Sequence, residues 1–171
     1  INKITSKDGL GMSPKRITVS TSGISKLIIK MADENVKFNL AVSLHSAVEK
    51  TRNKIMPFTI KFPLTDLKEA IKYWYNKTQK IVTYEYIVWK GINDDMNHIN
   101  ALVDFCKSSP SKVNIIEYNK TSNDFFISAD DSIIKKYIEE LESNRIPVTI
   151  RKSRGKDIDA ACGQLANKLK Q

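Results

Sequence analysis

The residues with the greatest chemical potential lie together near the C-terminus, in the run Arg151-Lys152-Ser153-Arg154-Gly155-Lys156-Asp157-Ile158-Asp159-Ala160-Ala161-Cys162-Gly163. A basic stretch leads through a glycine to a lone cysteine. A thiolate is a nucleophile. The neighbours of Cys162, Ala161 and Gly163, carry almost no side chain and leave room for a large substrate. The adjacent cations could hold a polyanion. Thiol chemistry beside phosphate-binding charge is therefore one reading of this run. The plainer one is a small core thiol on a terminal helix, since cysteine often packs as a small hydrophobe. Local sequence alone favours the plainer reading, because a motif needs its structural context.

A second set of polar residues falls at the ends of apolar stretches. Arg16–Gly23 reads as a short β-branched strand that ends in Ser20, Thr21 and Ser22. Asn39–His45 is nearly all apolar, as strands buried on both faces are, and ends in Ser43, Leu44 and His45. Lys80–Trp89, Lys112–Asn119 and Val148–Arg151 read as three more strands, the last two ending in Asn119 and Arg151. In parallel α/β folds ligands bind at the carboxyl ends of the strands. Hydroxyls, an imidazole, an amide and a guanidinium would thus share one rim, which suits a polar ligand with ribose and amino-acid groups.

Helical patterns separate these strands. They cover 24–33, 48–54, 64–77, a stretch ending near Lys107, and 132–143, with a further short helix after Asp157. Leu64, Leu67, Ala70, Ile71 and Trp74 recur at helical spacing and predict a core stripe. Asn93 or Asp94 is expected to cap the helix that ends near Lys107, and Cys106 reads as a core thiol. Five strands alternating with helices predict a parallel α/β sheet with right-handed connections. A full eight-unit barrel needs about 250 residues, so the expectation is an open sheet or part of a barrel.

Charge and composition narrow the partners. The formal net charge is +9 over 171 residues, with 41% hydrophobic content. Lys3, Lys7, Lys15, Arg16, Lys26 and Lys30 oppose only Asp8 in the first thirty residues. Arg145, Arg151, Lys152, Arg154, Lys156, Lys168 and Lys170 oppose Asp157 and Asp159 at the other end. Cations concentrated at both ends of the chain fit a nucleic-acid footprint. A membrane surface fits less well, since no segment pairs a basic face with a strong aromatic or leucine face. No apolar run approaches the roughly 20 residues of a membrane span. Two cysteines form no disulfide framework, which points to a reducing cytoplasm. The start Ile1-Asn2, without Met or an apolar leader, suggests a piece of a longer chain. There is no dinucleotide fingerprint, phosphate loop or Gly-x-Ser-x-Gly elbow. His45, His98 and two distant cysteines lack the spacing of a metal site.

Several blocks then occur in one order: Val19-Ser20-Thr21-Ser22-Gly23, Leu40-Ala41-Val42-Ser43-Leu44-His45, Arg52 with Met56-Pro57, Tyr84-Glu85-Tyr86, Gly91-Ile92-Asn93-Asp94, Val113–Ile116 with Tyr118-Asn119, and the 151–165 run. Together they resemble the radical S-adenosylmethionine (SAM) methyltransferases of the RlmN/Cfr family, which modify an adenine of 23S rRNA. The resemblance covers essentially the whole chain, and Arg151–Gly155 looks like the branch that methylates carbon 2. It implies the C-terminal part of a partial radical-SAM (β/α) barrel spanning residues 1–171. It implies SAM contacts at Ser20, Ser43, Leu44, His45 and Asn119, and RNA contacts at Arg151, Lys152 and Arg154. Cys162 matches the cysteine that is itself methylated. In the family a second SAM is cleaved at a [4Fe–4S] cluster, the radical takes hydrogen from the S-methyl group, the carbon radical adds to adenine, and a disulfide frees the product.

The departures from the family pattern are equally informative. The Cys-x-x-x-Cys-x-x-Cys cluster motif, the glycine-rich SAM segment, the second catalytic cysteine and the acidic proton acceptor are absent from these residues; in the family they lie upstream. No metal ligand is assigned in this chain, and Cys106 does not match the partner cysteine. Thr59 replaces an expected Asn, and Lys120 an expected Pro. The resemblance therefore implies a cytoplasmic adenine-C2 methyltransferase, monomeric at full length, acting on 23S rRNA, represented here without its cluster-binding half and inactive in that form; some family members also act on tRNA, and the sequence leaves that second substrate open. The alternative is a non-catalytic RNA-binding module on a degenerate partial barrel.

Overall fold

The computed structural model describes residues 1–119 and 126–151. A short helix α1 (Asn2–Thr5) and a 3-10 turn (Pro14–Arg16) precede strand β1 (Thr18–Thr21). There follow α2 (Ser25–Asp33), β2 (Asn39–Ser43), α3 (Glu49–Ile55), a second 3-10 turn (Pro57–Lys61) and α4 (Leu64–Thr78). The remaining elements are β3 (Val82–Tyr86), α5 (Met96–Cys106), β4 (Ser111–Ile116), α6 (Asp131–Ser143) and β5 (Val148–Arg151). All four strand pairings are parallel and the order is β1-β2-β3-β4-β5. Right-handed crossovers between strands laid down in sequential order put every connecting helix on the same side of the sheet. The sheet stays open, as part of a radical-SAM barrel would.

Burial alternates accordingly. Leu40, Val42, Val82, Tyr84, Tyr86 and Val113 are fully buried against the helices. They meet the predicted stripe of α4, where Leu64, Leu67, Ala70, Ile71 and Trp74 are all buried. Ile99, Leu102 and Phe105 of α5 and Tyr137 and Leu141 of α6 complete one continuous core. Cys106 lies in it, and burial raises its thiol pKa to about 12. The opposite face, free of helices among the described residues and called helix-free below in that sense, carries the alternate residues Ser20, Ala41, Ser43, Thr83, Glu85, Asn114, Thr149 and Arg151. In a closed barrel that face would line the interior.

Several local expectations change: β1, β2 and β4 stop at Thr21, Ser43 and Ile116, short of Gly23, His45 and Asn119. The third strand ends at Tyr86 and does not reach Trp89. The Ile87 N–H goes to the His45 ring and the Trp89 N–H to the Asn93 side chain, so both leave the ladder. The cap of α5 is Asp95, neither Asn93 nor Asp94: its carboxylate accepts the His98 N–H at 2.9 Å. Asn93 is fully buried and serves the loop before the helix.

Candidate functional site

A parallel sheet brings the carboxyl ends of its strands to one edge. That edge holds Ser20 and Thr21 of β1, Ser43 at the end of β2, Asn119 just beyond β4, and Arg151 at the end of β5. Ser20, Ser43 and Asn119, three of the positions expected to contact SAM, thus lie along this edge. Ser20, Ser43 and Arg151 lie on the helix-free face. Leu44 does not: its side chain is fully buried in the core, and its backbone N–H donates to the Glu85 carbonyl at 3.0 Å. Asn119 is half-buried, and its amide donates to the Glu117 carbonyl at 3.4 Å. Cys162, Lys152 and Arg154 lie outside the described residues.

The backbone of this rim rests on Arg52, whose exposure is 1%. Its guanidinium donates to the Ser22 carbonyl at 2.8 Å, to the Ser43 carbonyl at 3.0 Å, and to the Leu44 carbonyl. One side chain therefore ties the end of β1 to the end of β2. Burial lowers its pKa to about 10, partly offset by Glu49, so it remains a cation at neutral pH. The α3 helix that carries it is anchored on both sides. Glu49 accepts the Leu64 N–H at 2.8 Å at the start of α4, and Thr51 meets the His98 ring at 3.0 Å on α5. Gly23 makes room: its φ is +95°, and a Cβ there would lie 3.1 Å from the guanidinium. In the sequence Arg52 entered only with Met56-Pro57 as one block of the family resemblance, with no role assigned to it.

His45 turns the chain away from β2 in a left-handed conformation, φ 54°. Its Nδ1 accepts the Ile87 N–H at 3.3 Å. Asn93 closes the loop by donating to the His45 carbonyl at 2.8 Å and to the Ile87 carbonyl at 2.9 Å. Burial, with the nearby Arg52 charge, lowers the His45 pKa to about 4. The ring is neutral at physiological pH. With Nδ1 an acceptor, the proton sits on Nε2, which is left as a donor. Trp89 packs edge-on against this ring at 5.7 Å and also meets Tyr118 and Phe126.

On the helix-free face Ser43, Glu85 and Asn114 stand in one register row, and Thr149 completes it on β5. The Thr149 hydroxyl donates to the Asn114 side-chain oxygen Oδ1 at 3.1 Å. Glu85 accepts from the Ser20 hydroxyl at 2.5 Å and lies 3.7 Å from the Arg151 guanidinium. Sequence reasoning quoted Glu85 without a role. The available signal was its place as the one charged residue in a strand whose alternate positions, Val82, Tyr84 and Tyr86, are apolar or aromatic. Among the described residues no group of three His, Cys, Asp or Glu could hold a metal ion.

No family model matches the chain. Individual relatives do. It is 65% identical over 168 residues to a probable dual-specificity RNA methyltransferase RlmN of Flavobacterium psychrophilum, covering 98% of this chain and 48% of the relative. A protein of the same description from Thermus thermophilus is 37% identical over 163 residues, covering 95% of this chain and 46% of its own length. The chain matches the C-terminal half of the RlmN family. It spans about half the length of the curated relatives it matches. A radical SAM methyltransferase from Sphaerobacter thermophilus superposes with a TM-score of 0.90 at 34% identity, over 94% of this chain and 47% of that one. A domain of a pyruvate-formate lyase-activating enzyme from Bacteroides vulgatus shares the fold alone, at a TM-score of 0.60 and 15% identity. The rim described above thus lies in a fold similar to half of a radical SAM methyltransferase.

Proposed function

We propose that residues 1–171 are the C-terminal portion of a radical-SAM barrel domain, in an enzyme that methylates carbon 2 of an adenine in 23S rRNA and in tRNA. The observation that carries this reading is the rim: Ser20, Ser43, His45 and Asn119 meet at the strand ends of a fold shared over nearly its whole length with a radical SAM methyltransferase. These residues suit SAM. A fixed imidazole donor, serine oxygens and an amide match its carboxylate, ammonium, ribose and adenine groups, and Leu44 enters only through its backbone. Bound there, SAM supplies an activated methyl group. Cys162 would accept that methyl on its thiolate sulfur as the sulfonium S–CH3 bond breaks and S-adenosylhomocysteine leaves, and its small sequence neighbours Ala161 and Gly163 suit a site that also takes the adenine.

An iron–sulfur cluster takes cysteine thiolates. This chain has two cysteines, and Cys106 is in the core, so ligands for a [4Fe–4S] cluster come from outside these residues. Arg151, Lys152 and Arg154 contribute to RNA binding. The working compartment is the cytoplasm, and the full-length enzyme is a monomer. No helix among the described residues is long and apolar enough to cross a membrane.

The test uses the full-length protein expressed with SAM available. Mass spectrometry of the tryptic peptide containing Cys162 should show one added methyl. Cys162→Ala should abolish adenine methylation, measured by nucleoside mass spectrometry of rRNA. Cys106→Ala should retain it and lose stability only. A methyl on Cys106, or methylation by Cys162→Ala, overturns the assignment.

A further inference from the structure

Glu85 stands on β3, the middle strand of five, and its side chain is only 16% exposed. Neither of its partners is on a neighbouring strand. Ser20 is on β1, with β2 between, and Arg151 is on β5, with β4 between. The register shows how the carboxylate reaches them. Ala41 lies directly between Ser20 and Thr83 on the same face, and Ser43 lies beside Glu85. With only a methyl at Ala41, the Ser20 hydroxyl spans β2 and meets Glu85 Oε2 at 2.5 Å. The other oxygen, Oε1, faces Arg151 Nη1 at 3.7 Å. One carboxylate thus connects the two edge strands across the helix-free face.

This arrangement has a chemical consequence. A serine hydroxyl has one proton and two lone pairs. Ser20 spends its proton on Glu85, so toward any other group it is an acceptor. We infer that Glu85 is a positioning residue: it fixes Ser20 in one rotamer as a hydrogen-bond acceptor and holds Arg151 over the same face, so that Ser20 receives a donor group of the ligand. On SAM such donors are the ammonium and the ribose hydroxyls; the carboxylate is excluded from this position. The polarity is opposite at His45, just beyond β2, whose Nδ1 accepts the Ile87 N–H and whose Nε2–H is a donor. The two ends of an amino-acid-bearing nucleoside are thereby distinguished. The hydrogen bond to a charged acceptor is of the strong, short kind, which suits a group meant to hold one orientation. The inference rests on the reading of Ser20 as a ligand contact.

The experiment separates the two. In the full-length protein, Glu85→Ala, Glu85→Gln, Ser20→Ala and the double variant Ser20→Ala/Glu85→Ala are compared by calorimetric SAM titration. In parallel, the Ser20 χ1 rotamer is read without ligand from side-chain NMR couplings. The χ1 coupling should report one rotamer in the wild type and averaging in Glu85→Ala. Glu85→Ala should weaken SAM about tenfold. Glu85→Gln, whose amide oxygen still accepts from Ser20, should stay within about threefold. In the Ser20→Ala background, Glu85→Ala should add little, because its effect runs through Ser20. A single Ser20 rotamer in Glu85→Ala, or additive losses in the double variant, overturns the positioning role. Averaging of the rotamer together with unchanged SAM affinity in Ser20→Ala leaves the Glu85–Ser20 bond standing and overturns the reading of Ser20 as a SAM contact, and with it the role proposed for Glu85 in binding.

Discussion

Removing the Arg52 guanidinium should loosen the seam between β1 and β2. Three backbone carbonyls, of Ser22, Ser43 and Leu44, accept from it. In Arg52→Met the core volume is roughly kept and the Leu44 carbonyl keeps the Ser46 N–H at 2.7 Å, but the Ser22 and Ser43 carbonyls lose this donor. Each unsatisfied acceptor costs about 1–3 kcal/mol, so two give about 2–6 kcal/mol. Against that, burying a cation costs several kcal/mol in the wild type, and the variant recovers it. A net loss of about 1–3 kcal/mol remains, a sizeable part of the roughly 5–15 kcal/mol that holds a typical domain folded. Arg52→Lys keeps the charge but not the fork that spans two strand ends, and should lose about 1 kcal/mol. Urea denaturation of the full-length protein gives the global figure. Hydrogen exchange at residues 43–46 gives the local one, and those amides should lose protection first. A loss below about 1 kcal/mol in Arg52→Met, with unchanged exchange at 43–46, would refute the claim that this guanidinium joins β1 to β2.

Three further outcomes follow from the same geometry. Gly23→Ala should cost about 1–3 kcal/mol by denaturation, since φ is +95° there and the new methyl meets Arg52 at 3.1 Å and Leu67 at 3.3 Å; no loss would mean that the turn relaxes freely. Stability should fall as pH drops from 6.5 toward 4, because the unfolded His45 takes up a proton in that window and the folded ring, with its pKa lowered to about 4, does not. The contribution is fully present above pH 6.5, its slope reaches at most about 1.4 kcal/mol per pH unit, and it should vanish in His45→Gln; an unchanged slope there assigns the acid sensitivity elsewhere. Replacing Arg151, Lys152 and Arg154 with Ala should flatten the salt dependence of rRNA-fragment binding by about one log–log unit for each phosphate no longer neutralised. Arg151, already facing Glu85, should contribute less than a full unit, and an unchanged slope moves the RNA surface to another part of the protein.

What the sequence disclosed depended on the range of the interaction. Strands and helices are set by local periodicity, so the apolar run from Leu40 to Leu44 and the stripe from Leu64 to Trp74 announce themselves. The rim was legible for a related reason: Ser20, Ser43 and His45 each follow an apolar strand, and strand ends in a parallel sheet share one edge. Boundaries were less so. The third strand stops at Tyr86 because the His45 ring and the Asn93 amide, from opposite sides of the loop, take the next backbone donors. Asn93 looked like a cap because Asn favours that position, but the spacing of side chain to backbone fits Asp95, and Asn93 faces inward.

Arg52 and Glu85 show why the rest was not readable. Each owes its role to partners brought together only by register: Arg52 lies thirty positions from Ser22, and Glu85 sixty-five from Ser20. No local pattern encodes such distances. Their positions are also complementary. Arg52 holds the ends of β1 and β2 from beneath, through backbone carbonyls. Glu85 holds the side chains of β1 and β5 from the helix-free face. The first fixes where the rim is, and the second fixes which hydrogen-bond sense it presents. A site for a small charged nucleoside needs both, because an acceptor in the right place with its proton pointing outward would meet the ligand's ammonium as a donor meets a donor. That requirement places a buried cation and a half-buried carboxylate, neither of which need touch the ligand, among the residues on which recognition depends.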